Sequence, residues 1–438
     1  MKSKYLNTTR RKVLVSGGIA TALGLSLIYG NFTKLMMTKN INEMADEYAM
    51  LKDIKHRKII KKNETITVKN AVFNERFDNF SCEKTVFMNC VFESDSLIYV
   101  KSLVDVKFEK CNFTDSQISG GVWKNVEFRE CIASGEFLIF AEKKSEDVLF
   151  DKCEFSGPAS TSKAIDENTL GAVGSLGSIE FANCKLSRIN LRGEISLEVR
   201  NSHLTKISAE TMREGGKISL EKVTISDYID FTKGIFSEFC IKDSTFEFMN
   251  LEYAKSNKIL IDGCSGHLVA KFINSDIVVL KNSTFIANGE KRDPFLNVSS
   301  ALSLNSSTIG SLSLDRIKFD GVNGTLYLGG NDNIAYDKSD RGSEKFDMGE
   351  FGKIAIHETP LKKSFLGYVK ADELEISNSE IENSNFTNSL FKKIVFSDIL
   401  LKGTVDFTGS YVDEFSKSNI LTKPDLNFKD DINMIVKI

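Results

Sequence analysis

The chain has 438 residues, 27% of them charged and 41% hydrophobic, which excludes a disordered polymer. Only four prolines are present, which excludes Pro-rich linkers and suits a chain of paired strands, where a missing N–H is costly. The net charge of −3 is unevenly spread: residues 1–62 hold 13 Lys/Arg against four acids, leaving −12 for the rest, a poor partner for a phosphate backbone.

Residues 1–12 form a basic region with Lys2, Lys4, Arg10, Arg11 and Lys12. Residues 13–30 follow without a charge and are just long enough, at ~1.5 Å per residue, to cross a ~30 Å hydrocarbon layer. Positive charge before such a segment keeps that end in the cytoplasm. The expectation is therefore a single-pass protein of the inner (cytoplasmic) membrane, with everything after Gly30 periplasmic or extracellular. A cleaved signal stays open, because Ala20-Thr21-Ala22 fits a small-residue cleavage pattern. Arg10 and Arg11 are also a candidate twin-arginine export signal. Residues 31–62 form a helical spacer or cap, with Leu35, Met36, Ile41, Met44, Tyr48, Leu51 and Ile54 at mostly three- and four-residue spacing.

Short apolar runs then recur over 63–412. Val106–Phe113, Val126–Ala133, Val148–Phe155 and Ile179–Leu186 share one template, and their first residues are 20, 22 and 31 apart. A repeat near 20 residues signals a stacked fold. Within it lies a period of five. Positions 108, 113, 118, 123, 128 and 133 are Phe, Phe, Ile, Trp, Phe and Ala, and the positions two earlier are mostly small. The frame returns at Ile376, Ile381, Phe386, Phe391, Phe396 and Leu401. Residues two apart on an extended segment share a face. Each five-residue side therefore points two residues inward, and a corner resets the phase. Four sides make a coil, and coils stack as parallel strands.

The expected inward ladder comprises Phe87, Cys90, Phe92, Phe108, Cys111, Phe113, Trp123, Phe128, Cys131, Phe150, Cys153, Phe155, Phe181, Cys184, Ile376, Ile381, Phe386, Phe391 and Phe396. On these runs, and on Ile218–Ile225, Phe239–Phe246 and Leu302–Ile309, the chain resembles the pentapeptide-repeat family. That resemblance implies an all-β, right-handed quadrilateral β-helix. The family's Asp or Asn before the large residue is often replaced here, and the frame slips, so the chain reads as an irregular relative. A three-sided, pectate-lyase-like β-helix is the alternative. Excursions from the pattern are expected at 157–178, 286–298 and 329–373, and a capping tail at 413–438.

The chemistry is sparse. Cys90, Cys111, Cys131, Cys153 and Cys184 share one small inward slot, where free cysteine behaves as a small hydrophobe. No C-x-x-C pair occurs, and His56, His203, His267 and His357 are scattered. No nucleophile elbow, phosphate loop or dinucleotide fingerprint appears. No cofactor, no metal and no catalytic residue is expected. The leading expectation is a non-enzymatic, membrane-anchored solenoid that serves as a scaffold or protein-docking surface, held to the membrane by residues 13–30. Alternatives are a polysaccharide-acting β-helix enzyme, a topoisomerase-binding DNA mimic, and a secreted effector or adhesin.

Overall fold

In a computed structural model, burial from Ala371 to Leu401 follows a beat of five. Leu374 and Ile376, Ser379 and Ile381, Ser384 and Phe386, Ser389 and Phe391, Ile394 and Phe396 are buried, and the residues between the buried positions are half-buried or exposed. The cause is local. Extended backbone sends residues two apart to one face, and Asn378, Asn383, Asn388 and Asp398 then take left-handed backbone, with φ of 48°, 48°, 54° and 54°. Each such residue bends the chain and starts the next side. Leu374 thereby returns beside Ile394, Ile376 beside Phe396 and Ile381 beside Leu401.

The structure describes residues 58–436, apart from 63–64, 74–80, 94–100, 120–121, 141–145, 156–168, 174–177, 193–195, 212–215, 287–301, 321–325, 331–347 and 423–434. It is an all-β parallel solenoid with coils of about 21 residues, and no helix occurs among the described residues. One unbroken parallel ladder climbs from the strand Thr65–Lys69 to the strand Tyr411–Thr422. A second sheet, built from the sides that follow, closes the coil.

The corner after the main ladder is a column of left-handed residues from Asn70 to Asn419, with φ between 45° and 66° and Gly263 its only glycine. Asn and Asp tolerate this backbone better than most side chains, and the column is rich in both. Each corner also gains a hydrogen bond from the next coil: the Lys110 N–H donates to the Arg129 carbonyl at 2.9 Å, and the Glu130 N–H to the Asp151 carbonyl at 2.9 Å. The interior is one continuous apolar core. In its first half, Phe87, Phe108, Phe128, Phe150 and Phe181 stack coil upon coil at centroid distances of 4.4 to 5.1 Å. Phe73, Phe92 and Phe113 form a second stack, which meets the first edge to face.

Several boundaries differ from the sequence expectations. Lys58–Lys62, expected in the helical segment 31–62, is a strand antiparallel to Thr65–Lys69, with Ile60 opposite Thr67. It is the only antiparallel pairing among the described residues. The excursion expected at 329–373 is shorter, because Gly349–His357 and Val369–Ser377 are full rungs of the ladder. Phe351, Ile356, Leu361, Leu366 and Ala371 are all buried, so the five-residue beat already runs there. Part of the excursion expected at 157–178 also joins the stack, as the strand Thr169–Val173 pairs in parallel with Lys185–Arg192. The tail expected at 413–438 begins inside a rung, since Tyr411–Thr422 lies in register on Leu390–Leu401 and Ile435–Val436 pairs with Tyr411–Val412. Of the expected excursion at 286–298, Ile286 ends a strand and 287–298 lies outside the described residues. The basic region 1–12, with Arg10 and Arg11, the apolar segment 13–30 and residues 31–57 also lie outside them. Among the described residues, no helix is long and apolar enough to cross a membrane.

Candidate interaction surface

All nineteen residues of the expected inward ladder are buried, from 0% exposure for Trp123 and Phe128 to 5% for Phe155. They form the core and leave the outer wall as the surface. Cys90, Cys111, Cys131, Cys153 and Cys184 occupy one column directly after the left-handed corner, and the eight cysteines are all free. Burial pushes the thiols of Cys111 and Cys153 far above the ordinary range, and the flanking thiols add to that. Cys82 and Cys264 are pushed up to about 12, chiefly by burial. Burial of this kind favours the protonated form of these four thiols. Among the described residues, no three His, Cys, Asp or Glu side chains converge as a metal site.

The outer face of the main ladder is laced with ion pairs between coils. Glu238 accepts from Lys217 at 2.9 Å and faces Lys258 at 3.4 Å, and the Lys217 ammonium holds its carboxyl below the usual range. Lys353 spans Glu373 at 3.5 Å and Glu375 at 2.8 Å. Lys107, Glu127, Arg129 and Asp151 form a similar chain lower down. Stacking in register brings opposite charges on neighbouring coils side by side, and exposed pairs of this kind contribute little each.

The second sheet carries rings over the coils from 206 to 272, while the main ladder of the same coils keeps its Lys217–Glu238–Lys258 pairs. The Lys206 ammonium sits 3.5 Å over the Tyr228 ring. Tyr228 is the register partner of Phe248, and Phe248 meets His267 at 5.3 Å between ring centroids. At the next corner Tyr253 stacks on Phe272 at 4.8 Å, with planes 5° apart. Tyr253 is 48% exposed. Both corner rings stand on left-handed backbone, with φ of 58° and 55°, a rare state for bulky residues. Beside them Lys271 is 5% exposed, burial lowers its pKa, and Glu252 at 4.0 Å opposes that shift.

No protein family, curated protein or solved structure matches this chain.

The sequence expectations missed this outward cluster. Tyr228 precedes the buried Ile229 and Phe248 precedes the buried Met249. On an extended segment adjacent residues face opposite ways, so one member of each apolar pair had to point out. That signal was present in the sequence.

Proposed function

We propose that this chain is a non-enzymatic, membrane-anchored solenoid that presents a protein-docking surface on the periplasmic or extracellular side of the cytoplasmic membrane. The anchor is the apolar segment 13–30 behind its basic flank. The five-residue burial beat and its left-handed corners support an irregular, right-handed, four-sided member of the pentapeptide-repeat type. The observation that carries the docking reading is the outward aromatic cluster of Tyr228, Phe248, Tyr253 and Phe272, which lies on the second sheet and the corner after it, apart from the charge pairs of the main ladder. Aromatic side chains bring large contact area and dominate interface energetics.

Two measurements test this. A phosphatase reporter fused after residue 438 is expected to be active, and activity of a cytoplasm-only reporter at that position would refute export. Affinity capture from membranes with the full chain is expected to retain a protein partner. A Tyr228→Ala/Phe248→Ala/Tyr253→Ala variant should lose it, while Lys353→Ala/Glu375→Ala keeps it. Equal capture by both variants would remove the aromatic cluster as the docking surface.

A further inference from the structure

The lacing of charge pairs on the outer face of the main ladder is broken at one place. Along one outward column Lys217, Glu238, Lys258, Ile277, Ser311, Lys353 and Glu373 are successive register partners. Ile277 and Ser311 interrupt the charges, and in the neighbouring column Leu260, Val279 and Ser313 follow one another across the same coils. Ile277 is 42% exposed, and Leu260, Val279, Ser311 and Ser313 are half-buried. A charge-free centre is thus framed along the solenoid axis by two charged groups of opposite sign. Below it Lys217 and Lys258 face Glu238, two cations against one anion and a net charge of +1. Above it Lys353 faces Glu373 and Glu375, one cation against two anions and a net charge of −1.

We propose that this face docks a second copy of the chain, turned end for end about a twofold axis that runs along the strands through Ile277. A twofold interface joins the same patch on both copies, so Ile277 and Val279 each meet their own counterparts. Two register steps from the axis stand Glu238 on one side and Lys353 on the other, and three steps away stand Lys217 and Glu373. Turning the second copy end for end therefore sets Glu238 against Lys353 and Lys217 against Glu373. Each net-positive group lands on a net-negative one. A copy stacked in the same direction would set like groups against each other, so the charges select the reversed arrangement. Asp276 and Lys281 lie toward the two ends of the central rung, and Lys281 is already paired with Asp262 at 3.1 Å. Their contacts with their own counterparts fall at the solvated margin, where salt screens them.

The size of the face sets the strength. From Lys217 to Glu373 it spans six register steps, about 29 Å at ~4.8 Å each, and a side of five residues is about 17 Å wide. That is roughly 500 Å² per copy in projection, at the small end for a specific interface. An apolar centre with a charged rim is the usual anatomy of such surfaces. A small interface held by matched charges binds weakly and loosens in salt. The aromatic cluster lies on the second sheet and its corner, outside this face, so the dimer leaves both copies of that cluster uncovered.

Analytical ultracentrifugation of the full chain in mild detergent tests this. A monomer–dimer equilibrium with a Kd in roughly the micromolar range is expected, weakening as salt is raised. Lys217→Glu/Lys258→Glu turns the lower group from +1 to −3. Glu373→Lys/Glu375→Lys turns the upper group from −1 to +3. Either variant alone should self-associate more than about ten-fold more weakly than the parent. An equimolar mixture of the two should restore the dimer, because the reversed groups then face each other. Ile277→Asp sets two carboxylates on the twofold axis and should lose the dimer as well. Tyr228→Ala/Phe248→Ala/Tyr253→Ala should dimerise as the parent does, which separates this face from the aromatic one. The inference is overturned if the full chain stays monomeric at roughly 100 μM, well above the expected range. It is also overturned if Ile277→Asp dimerises like the parent, or if the mixture restores nothing that its folded members lose. Should a charge variant fail to fold, Ile277→Asp and the salt response of the parent decide alone.

Discussion

Phe128 lies flat on Phe150, with ring centroids 4.4 Å apart and planes 4° from parallel. The parallel ladder imposes this arrangement, because Phe128 and Phe150 are register partners on neighbouring strands. Both rings are fully buried. Replacing Phe128 with Ala removes contacts to Phe108 below and Phe150 above, and stacked neighbours leave little room to collapse. The expected loss is about 3–5 kcal/mol, read as a shift of the urea midpoint of the full chain. A loss under about 1 kcal/mol would contradict the packing described here.

The left-handed corner column gives opposite signs at two positions. Lys152 holds φ of 53° at a steric cost that glycine does not have. Lys152→Gly is expected to stabilise by up to about 1 kcal/mol, the steric relief outweighing glycine's extra entropy in the unfolded chain. Gly263 stands in the same column with φ of 66°, and an added Cβ would lie 2.5 Å from Asp243 Oδ1. Gly263→Val is expected to destabilise by roughly 1–3 kcal/mol. Thermal melts of the two variants check the contrast, and equal shifts would remove the corner argument.

The raised thiols make stability depend on alkaline pH. Burial lifts Cys82 and Cys264 from 9.0 to about 12. Above pH 9 the unfolded chain releases these protons while the folded chain keeps them, so stability falls as pH rises. The contribution is complete below about pH 9 and lost as pH passes the folded value near 12. Cys82→Ser/Cys264→Ser should flatten the pH dependence of the denaturant midpoint between pH 9 and 11. An unchanged slope would contradict the assignment.

Lys353 and Glu375 meet at 2.8 Å with side chains 42% and 39% exposed. Solvent weakens such a pair. A double-mutant cycle is expected to give about 0.2–1 kcal/mol, falling toward zero in 1 M salt, where screening acts within about 3 Å. A larger, salt-independent coupling would mean that the ladders hold the coils together more than the core does.

The interior was legible in the sequence wherever five residues make one side. Ile376, Ile381, Phe386, Phe391 and Phe396 keep strict spacing, and all are buried. The same beat extends back through Leu366, Leu361, Ile356 and Phe351. It was hidden because the Gly-, Asp- and Ser-rich stretch that opens at Gly329 gave all of 329–373 the look of a loop. The last coil was hidden differently. Phe396 pairs with Lys417, 21 residues on, so one extra residue put Val412 and Phe415 out of frame. Lys58–Lys62 was unreadable as a strand, because its pairing depends on the neighbouring segment and not on its own spacing. The outward aromatics were obscured by the rule that found the core: where rings fill the interior, a ring facing water reads as one more inward residue.

The column that holds Cys153 directly below Cys184 does so across 31 residues of chain, while Cys111 reaches Cys131 in 20. Length between corners is therefore free to vary, because each corner restores the alignment of everything after it. In hereditary terms, an in-frame insertion on one side of a coil displaces no later residue from its place. Such a lineage can acquire new outward loops one coil at a time without renegotiating its interior, and so can diverge beyond detectable kinship while its architecture stays fixed.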